Sequence, residues 1–117
     1  MANKYLSNHE AKILSLIFTD AIAKGMVISL HDGEEWALKR CNDVETLLNE
    51  AAQTGQDTFR FRDAAGEGVG SVYCIYGNGN YGLDCITDHS ESRVMNEVMH
   101  RAWRYIDDVQ ESMAEEI

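Results

Sequence analysis

The chain has no proline, only three cysteines and half as many bases as acids, and each shortage argues against something. Without proline there is no proline-rich linker, and glycine alone punctuates the elements; no internal repeat is visible. Cys41, Cys74 and Cys85 make an odd count with no close-spaced pair, which argues against a disulfide framework and for a reduced, cytoplasmic setting. No apolar run approaches the roughly 20 residues of a membrane span. The start, Met-Ala-Asn-Lys-Tyr-Leu-Ser, lacks the apolar stretch of a signal peptide. Ten Lys and Arg against 20 Asp and Glu leave a formal charge of −10, which argues against nucleic acid and anionic membranes as partners and favours a basic one.

What remains is ordinary globular material. At 117 residues and 44% hydrophobic content, residues 1–117 make a single domain with a core of its own.

Ser7 and Glu10 stand as a capping box before Ile13, Leu14, Ile17 and Ala21, which recur at helical spacing until Gly25 stops the helix. Leu16, Phe18 and Ile22 widen that stripe. Met26, Ile28 and Leu30 alternate as a strand, and Trp36 and Leu38 mark the matching face of the next. A three-residue loop, His31-Asp32-Gly33, pairs Ile28 with Trp36 and Met26 with Leu38, so the apolar pattern selects it. Asn42 then caps a second helix carrying Val44, Leu47, Leu48 and Ala51, closed by Gly55.

Thr58 to Arg62 reads as a strand with Phe59 and Phe61 inward and Arg60 and Arg62 outward. Val69–Tyr76 and Tyr81–Thr87 form a hairpin around Asn78-Gly79, which predicts Tyr76 opposite Tyr81, Cys74 opposite Leu83 and Val72 opposite Cys85. The outer face would then carry an Arg60–Tyr73–Asp84 row. Asp88 caps the last helix, whose stripe runs Val94, Met95, Val98, Ala102, Tyr105, Ile106, Val109 and Met113. That helix reaches about 35 Å against strands of roughly 20 Å, so its end is expected to overhang the body. The order α-β-β-α-β-β-β-α, with short links between strands, predicts an α+β two-layer fold: three helices on a mostly antiparallel five-stranded sheet.

Few groupings suggest chemistry. Asp84, Asp88 and His89 have the ligand types for a divalent metal or for acid–base work, but Asp88 is already assigned as a cap. Cys74 and Cys85 read as small buried residues. Gly77 to Gly82 runs strand to strand, whereas a phosphate loop leads into a helix. No nucleophile stands beside a base. The reading is not an enzyme, with no cofactor and no metal.

The acids themselves remain. Between Tyr105 and the end stand Asp107, Asp108, Glu111, Glu115 and Glu116 with no base among them, at the pole of a helix that disfavours carboxylates. Asp32, Glu34 and Glu35 form a second group at a hairpin tip. A solvated charge run is the usual explanation for such patches; the alternative is a surface that imitates a short stretch of nucleic-acid charge, spaced at ~1.7 Å along a duplex axis, and occupies a basic groove.

The runs Asp32-Gly33-Glu34-Glu35-Trp36-x-Leu38-Lys39-Arg40, Phe61-Arg62-Asp63-x-x-Gly66, Tyr76-Gly77-Asn78-Gly79 and Thr87-Asp88-His89 resemble short phage and plasmid proteins of Gram-negative bacteria. In size and acidity the chain is similar to anti-CRISPR and anti-restriction proteins. The resemblance implies a protein in the cytoplasm of a bacterial host that blocks a defence complex without catalysis. The partner would be a basic groove of a host nucleic-acid-binding protein or CRISPR effector complex, with no direct nucleic-acid contact and no membrane. Partner-binding residues would be Asp32, Glu34, Glu35, Asp107, Asp108, Glu111, Glu115 and Glu116. The alternative is a structural or regulatory homodimer packed through Tyr105, Ile106, Val109 and Met113.

Overall fold

The structure, a computed structural model, describes residues 5–77 and 80–115. Its elements follow the expected order: α1 (Asn8–Ala23), β1 (Val27–His31), β2 (Trp36–Cys41), α2 (Val44–Glu50), β3 (Gln56–Arg62), β4 (Gly68–Ile75), β5 (Ile86–His89) and α3 (Arg93–Glu115). The strands form one antiparallel sheet in the order β2-β1-β3-β4-β5. The helices cover one face of it, giving the two-layer α+β architecture.

Alternation along the strands sets this arrangement. On β3, Asp57, Phe59 and Phe61 are buried while Gln56 and Arg60 are exposed. Ile28 and Leu30 of β1 and Val72 and Cys74 of β4 point to the same inner side, where Ile13, Leu14, Ile17 and Phe18 of α1 meet them. Phe18 packs edge-on against Phe59, with ring centroids 5.0 Å apart. α1 begins with the capping box: Ser7 Oγ accepts the Glu10 N–H at 3.2 Å, and Glu10 Oε1 accepts the Ser7 N–H at 2.8 Å. It ends at Gly25, whose φ of +83° suits glycine. α3 lies antiparallel to α1, pinned by Arg101 to Asp20 (2.6 Å) and Lys24 to Glu97 (3.2 Å).

Several local expectations give way to observed geometry. The first hairpin pairs His31 with Trp36, Leu30 with Leu38 and Ile28 with Cys41, so its loop is one residue longer than the pattern predicted. Asp32 is the reason: its N–H donates to Glu35 O, and its Oδ1 accepts the N–H groups of Glu34 and Glu35. That side-chain-closed turn sends Trp36 to the outer face, where it is 38% exposed. α2 is capped by Asp43 in place of Asn42, with Thr46 donating both its N–H (2.9 Å) and its hydroxyl (2.6 Å) to Asp43 Oδ2. It stops at Glu50, short of Gly55, because Ala52 adopts φ +60° and gives its N–H to buried Asp57 at 2.8 Å.

The last hairpin also shifts. Residues Asn80–Gly82 form a single 3-10 turn in place of strand, and β5 pairs Cys74 with Ile86, Tyr73 with Asp88 and Val72 with His89. Gly82 sits so tightly on the start of α1 that a Cβ there would lie 2.6 Å from Ser7 Oγ. Gly77 N–H donates to Glu10 Oε2 at 3.2 Å, so this segment folds over the cap and does not continue the strand. The Asn78-Gly79 turn lies outside the described residues. Because Phe61 pairs with Gly70 and Arg60 with Ser71, the predicted Arg60–Tyr73–Asp84 row does not form. Asp88 remains in the sheet, and Ser92 starts α3, its Oγ accepting the Met95 N–H at 3.1 Å.

Candidate functional site

Three places gather polar chemistry. The first is enclosed. Asp57 enters the inner face at the start of β3 and is 1% exposed. Its Oδ2 accepts the Ala52 N–H and the Tyr76 hydroxyl at 2.8 and 2.7 Å, and its Oδ1 meets no donor. Burial outweighs those hydrogen bonds and pushes the carboxyl up to about 6. The Tyr76 hydroxyl is raised chiefly by burial, then by Cys74 and Asp57. A hydrogen bond with Cys85, then burial, holds the Cys74 thiol protonated well above its usual range. Cys74 and Cys85 are both 0% exposed, as inert structural thiols are. The cluster closes α2 and anchors β4, and its side chains are buried. Sequence alternation marks Asp57 as inward, two residues before Phe59, and β3 begins at Gln56, ahead of the Thr58 start that the sequence predicts.

The second place is the acidic end. β1 leads from Gly25 to the hairpin tip, so the tip lies at the end of the sheet where α1 starts. Thr54 Oγ1 donates to Asp32 O at 3.0 Å there, and Gly77 reaches Glu10 nearby. α3 runs antiparallel to α1 and its last turns return to the same end, with Tyr105 Oη 2.7 Å from His9 Nδ1. Glu34 and Glu35 are exposed at the tip, and Asp107, Asp108 and Glu111 are exposed along α3. Asp32 differs, because its carboxylate is held below the usual range by the amides of Glu35 and Glu34 and serves the loop. Glu115 ends α3, and Glu116 lies outside the described residues. The overhang is not bare on its apolar side: Ile106 is 6% exposed, and Val109 and Met113 pack against the core.

Asp84, Asp88 and His89 do not converge. Asp88 and His89 are neighbours on β5, where His89 lies against Trp103 with centroids 5.4 Å apart. Among the described residues, no three His, Cys, Asp or Glu side chains are grouped as metal ligands would be.

The third place is the outer face of the sheet. Ser29, Trp36, Lys39, Arg40, Arg60 and Arg62 line a depression of about 240 Å³ there. The outward pair Arg60 and Arg62 is legible in the sequence, whereas Trp36 and the Lys39-Arg40 step come beside it only through the fold.

Comparisons of the chain with protein-family models, curated proteins and solved structures found no match. Among the described residues, no helix is long and apolar enough to cross a membrane.

Proposed function

We propose that the chain acts by binding and not by catalysis, as an acidic inhibitor of the anti-CRISPR type working in the cytoplasm of a bacterial host. Its acidic end would occupy a Lys/Arg groove of a nucleic-acid-handling defence complex and exclude nucleic acid or a partner subunit. One observation carries this reading: the hairpin tip and the end of α3, far apart in sequence, lie at the same end of the molecule with exposed carboxylates. Helix polarity is consistent with it. The start of α1, which favours nearby negative charge, lies at that end and offsets part of the unfavourable pole of α3. The homodimer reading has less apolar surface to draw on, because Ile106 is buried and Tyr105, Val109 and Met113 are partly buried against the chain's own core.

Capture from a bacterial lysate at low salt, followed by a salt titration, tests the proposal. The expected catch is a nucleic-acid-binding protein that elutes with salt. Replacing Glu34, Glu35 and Glu111 by Gln and Asp107 and Asp108 by Asn should weaken capture and leave the fold intact. Undiminished capture by that variant would sink the acidic-end reading.

A further inference from the structure

The net charge conceals a local reversal. Of the chain's 10 bases, Lys39, Arg40, Arg60 and Arg62 share one depression, and no acid among the described residues lines it. Among the described residues the ion pairs are Lys24–Glu97 and Arg101–Asp20, so none of these four cations is neutralised by a carboxylate. By register, acids flank the face at its margins: Asp88 opposite Tyr73, Asp63, whose Oδ1 is taken by the amides of Ala65 and Glu67, Glu67 itself beside the Arg62–Gly68 pair, and Glu35 beside Trp36.

A bulge builds the cluster. Leu38 pairs with Leu30 and Cys41 with Ile28, so Lys39 and Arg40 together oppose the single residue Ser29. Neighbours on a regular strand point to opposite faces; here both line the same depression. Arg40 has φ +51°, a left-handed backbone uncommon outside glycine, and its N–H is held by Ser29 Oγ at 2.9 Å. Arg60 lies over the Trp36 ring at 5.5 Å, and His31 meets that ring edge-on at 5.0 Å. On the other side of Arg60 and Arg62 a second depression of about 270 Å³ continues to Ser71 and Ser90. The path crosses β2, β1, β3 and β4, roughly 14 Å at ~4.8 Å per strand, which is longer than one phosphate group.

We infer that this face binds a segment of single-stranded nucleic acid, its phosphates tracking the Lys39–Arg40–Arg60–Arg62 path and a base lying on the Arg60–Trp36 pair. An open sheet with aromatic and guanidinium planes suits unstacked bases. Among the described residues no helix or ribbon rises from this face to enter a duplex groove, and the acidity elsewhere repels the denser charge of a duplex. The inference is independent of the acidic end, and each stands if the other fails.

Anisotropy of a fluorescein-labelled 12-mer of oligo-uridine, titrated with the full chain in 50 mM NaCl, tests it. About four neutralised phosphates give a salt slope near −3 for a single strand, so affinity should fall roughly 50-fold by 200 mM. Arg60→Ala with Arg62→Ala should weaken binding at least ~10-fold and flatten the slope by about 1.4. Trp36→Ala should cost about 5- to 30-fold on the 12-mer and leave tripolyphosphate binding unchanged. Lys12→Ala and Arg104→Ala, on the helical layer, should change nothing. Trp36 emission should be quenched by the strand in the unaltered chain, which serves as a readout should any variant fail to fold. Absence of binding at 50 mM, full binding by the double arginine variant, or tighter binding of a 12-base-pair duplex overturns the inference. So does displacement by tripolyphosphate with no effect of Trp36→Ala, which leaves only a phosphate site. Head-to-tail self-association abolished by the double arginine variant likewise overturns it in favour of a second copy.

Discussion

Under the helices, β3 and its neighbours present Phe59, Phe61, Ile28, Leu30 and Val72, each exposed by 1% or less. One residue along the same strands, the outer face presents Arg60, Arg62, Ser29, Ser71 and Tyr73. Both sets come from the same period-two pattern, yet they answer to different demands. The inner set must fill space against α1 and α3. Among the described residues no helix covers the outer set, so what collects there is not explained by packing against one. The inner face makes one exception to its own rule, Asp57, and that exception ends a helix. The outer face concentrates cations in a chain whose total charge is strongly negative, so a whole-chain charge describes neither face.

The contrast should break first at Phe59. Phe59→Ala should cost about 3–5 kcal/mol in urea unfolding, while Arg60→Ala, the adjacent outward residue, should stay within about 0.5 kcal/mol. Comparable losses at the two positions would mean the outer face is part of the core after all.

Asp57 sharpens the exception. Its carboxyl is raised by burial from 3.8 to about 6, so protonation favours the folded state. The contribution is full below the unfolded value and is lost as pH climbs through about 6. The difference corresponds to about 3 kcal/mol. Between pH 4 and 7, the unaltered chain should therefore lose stability relative to Asp57→Asn by an amount of this order. Parallel pH profiles from chemical denaturation would contradict the assignment.

Gly70 tests the seam between sheet and helix. A Cβ there would fall 2.5 Å from Met95 Cγ, so Gly70→Ala should destabilise by about 1–3 kcal/mol, with Met95→Ala in the same chain recovering part of the clash while adding its own cavity cost. The smallest effect is expected on the helical exterior. Breaking Arg101–Asp20 by Asp20→Asn should shift stability by under about 1 kcal/mol despite its two-point geometry, since the arginine is exposed. A double-mutant cycle measures the coupling, and a larger value would show that the α1–α3 register depends on this pair.

The Ser7–Glu10 box, the Gly25 stop and the inward Phe59 and Phe61 are legible in the sequence. Departures occur where one side-chain hydrogen bond, local or distant, overrides the apolar pattern. Trp36 fits the pattern of an inward aromatic, but Asp32 lengthens the loop by accepting the amides of Glu34 and Glu35. Gly55 looked like the stop for α2, but Asp57 takes the Ala52 N–H first. Tyr81 looked like strand, but the cap of α1 claims the segment around Gly77 and Gly82. The acidic end was visible as composition, whereas the placing of its two parts at the same end depends on the antiparallel course of α1 and α3. The basic face was harder still, since Lys39-Arg40 and Arg60-x-Arg62 join only across strands and only through a bulge.

That bulge has a second consequence, for the edge of the sheet. β2 is an outermost strand, and an unpaired row of backbone groups there invites pairing with another chain. The irregular step at Lys39 and Arg40 breaks that row and sets two positive charges on it. A neighbour approaching edge to edge would meet a kinked register and charge repulsion from its own cations, while β5, at the opposite border, spans only Ile86–His89. The device that gathers cations on the face therefore also guards the rim against sheet-to-sheet aggregation.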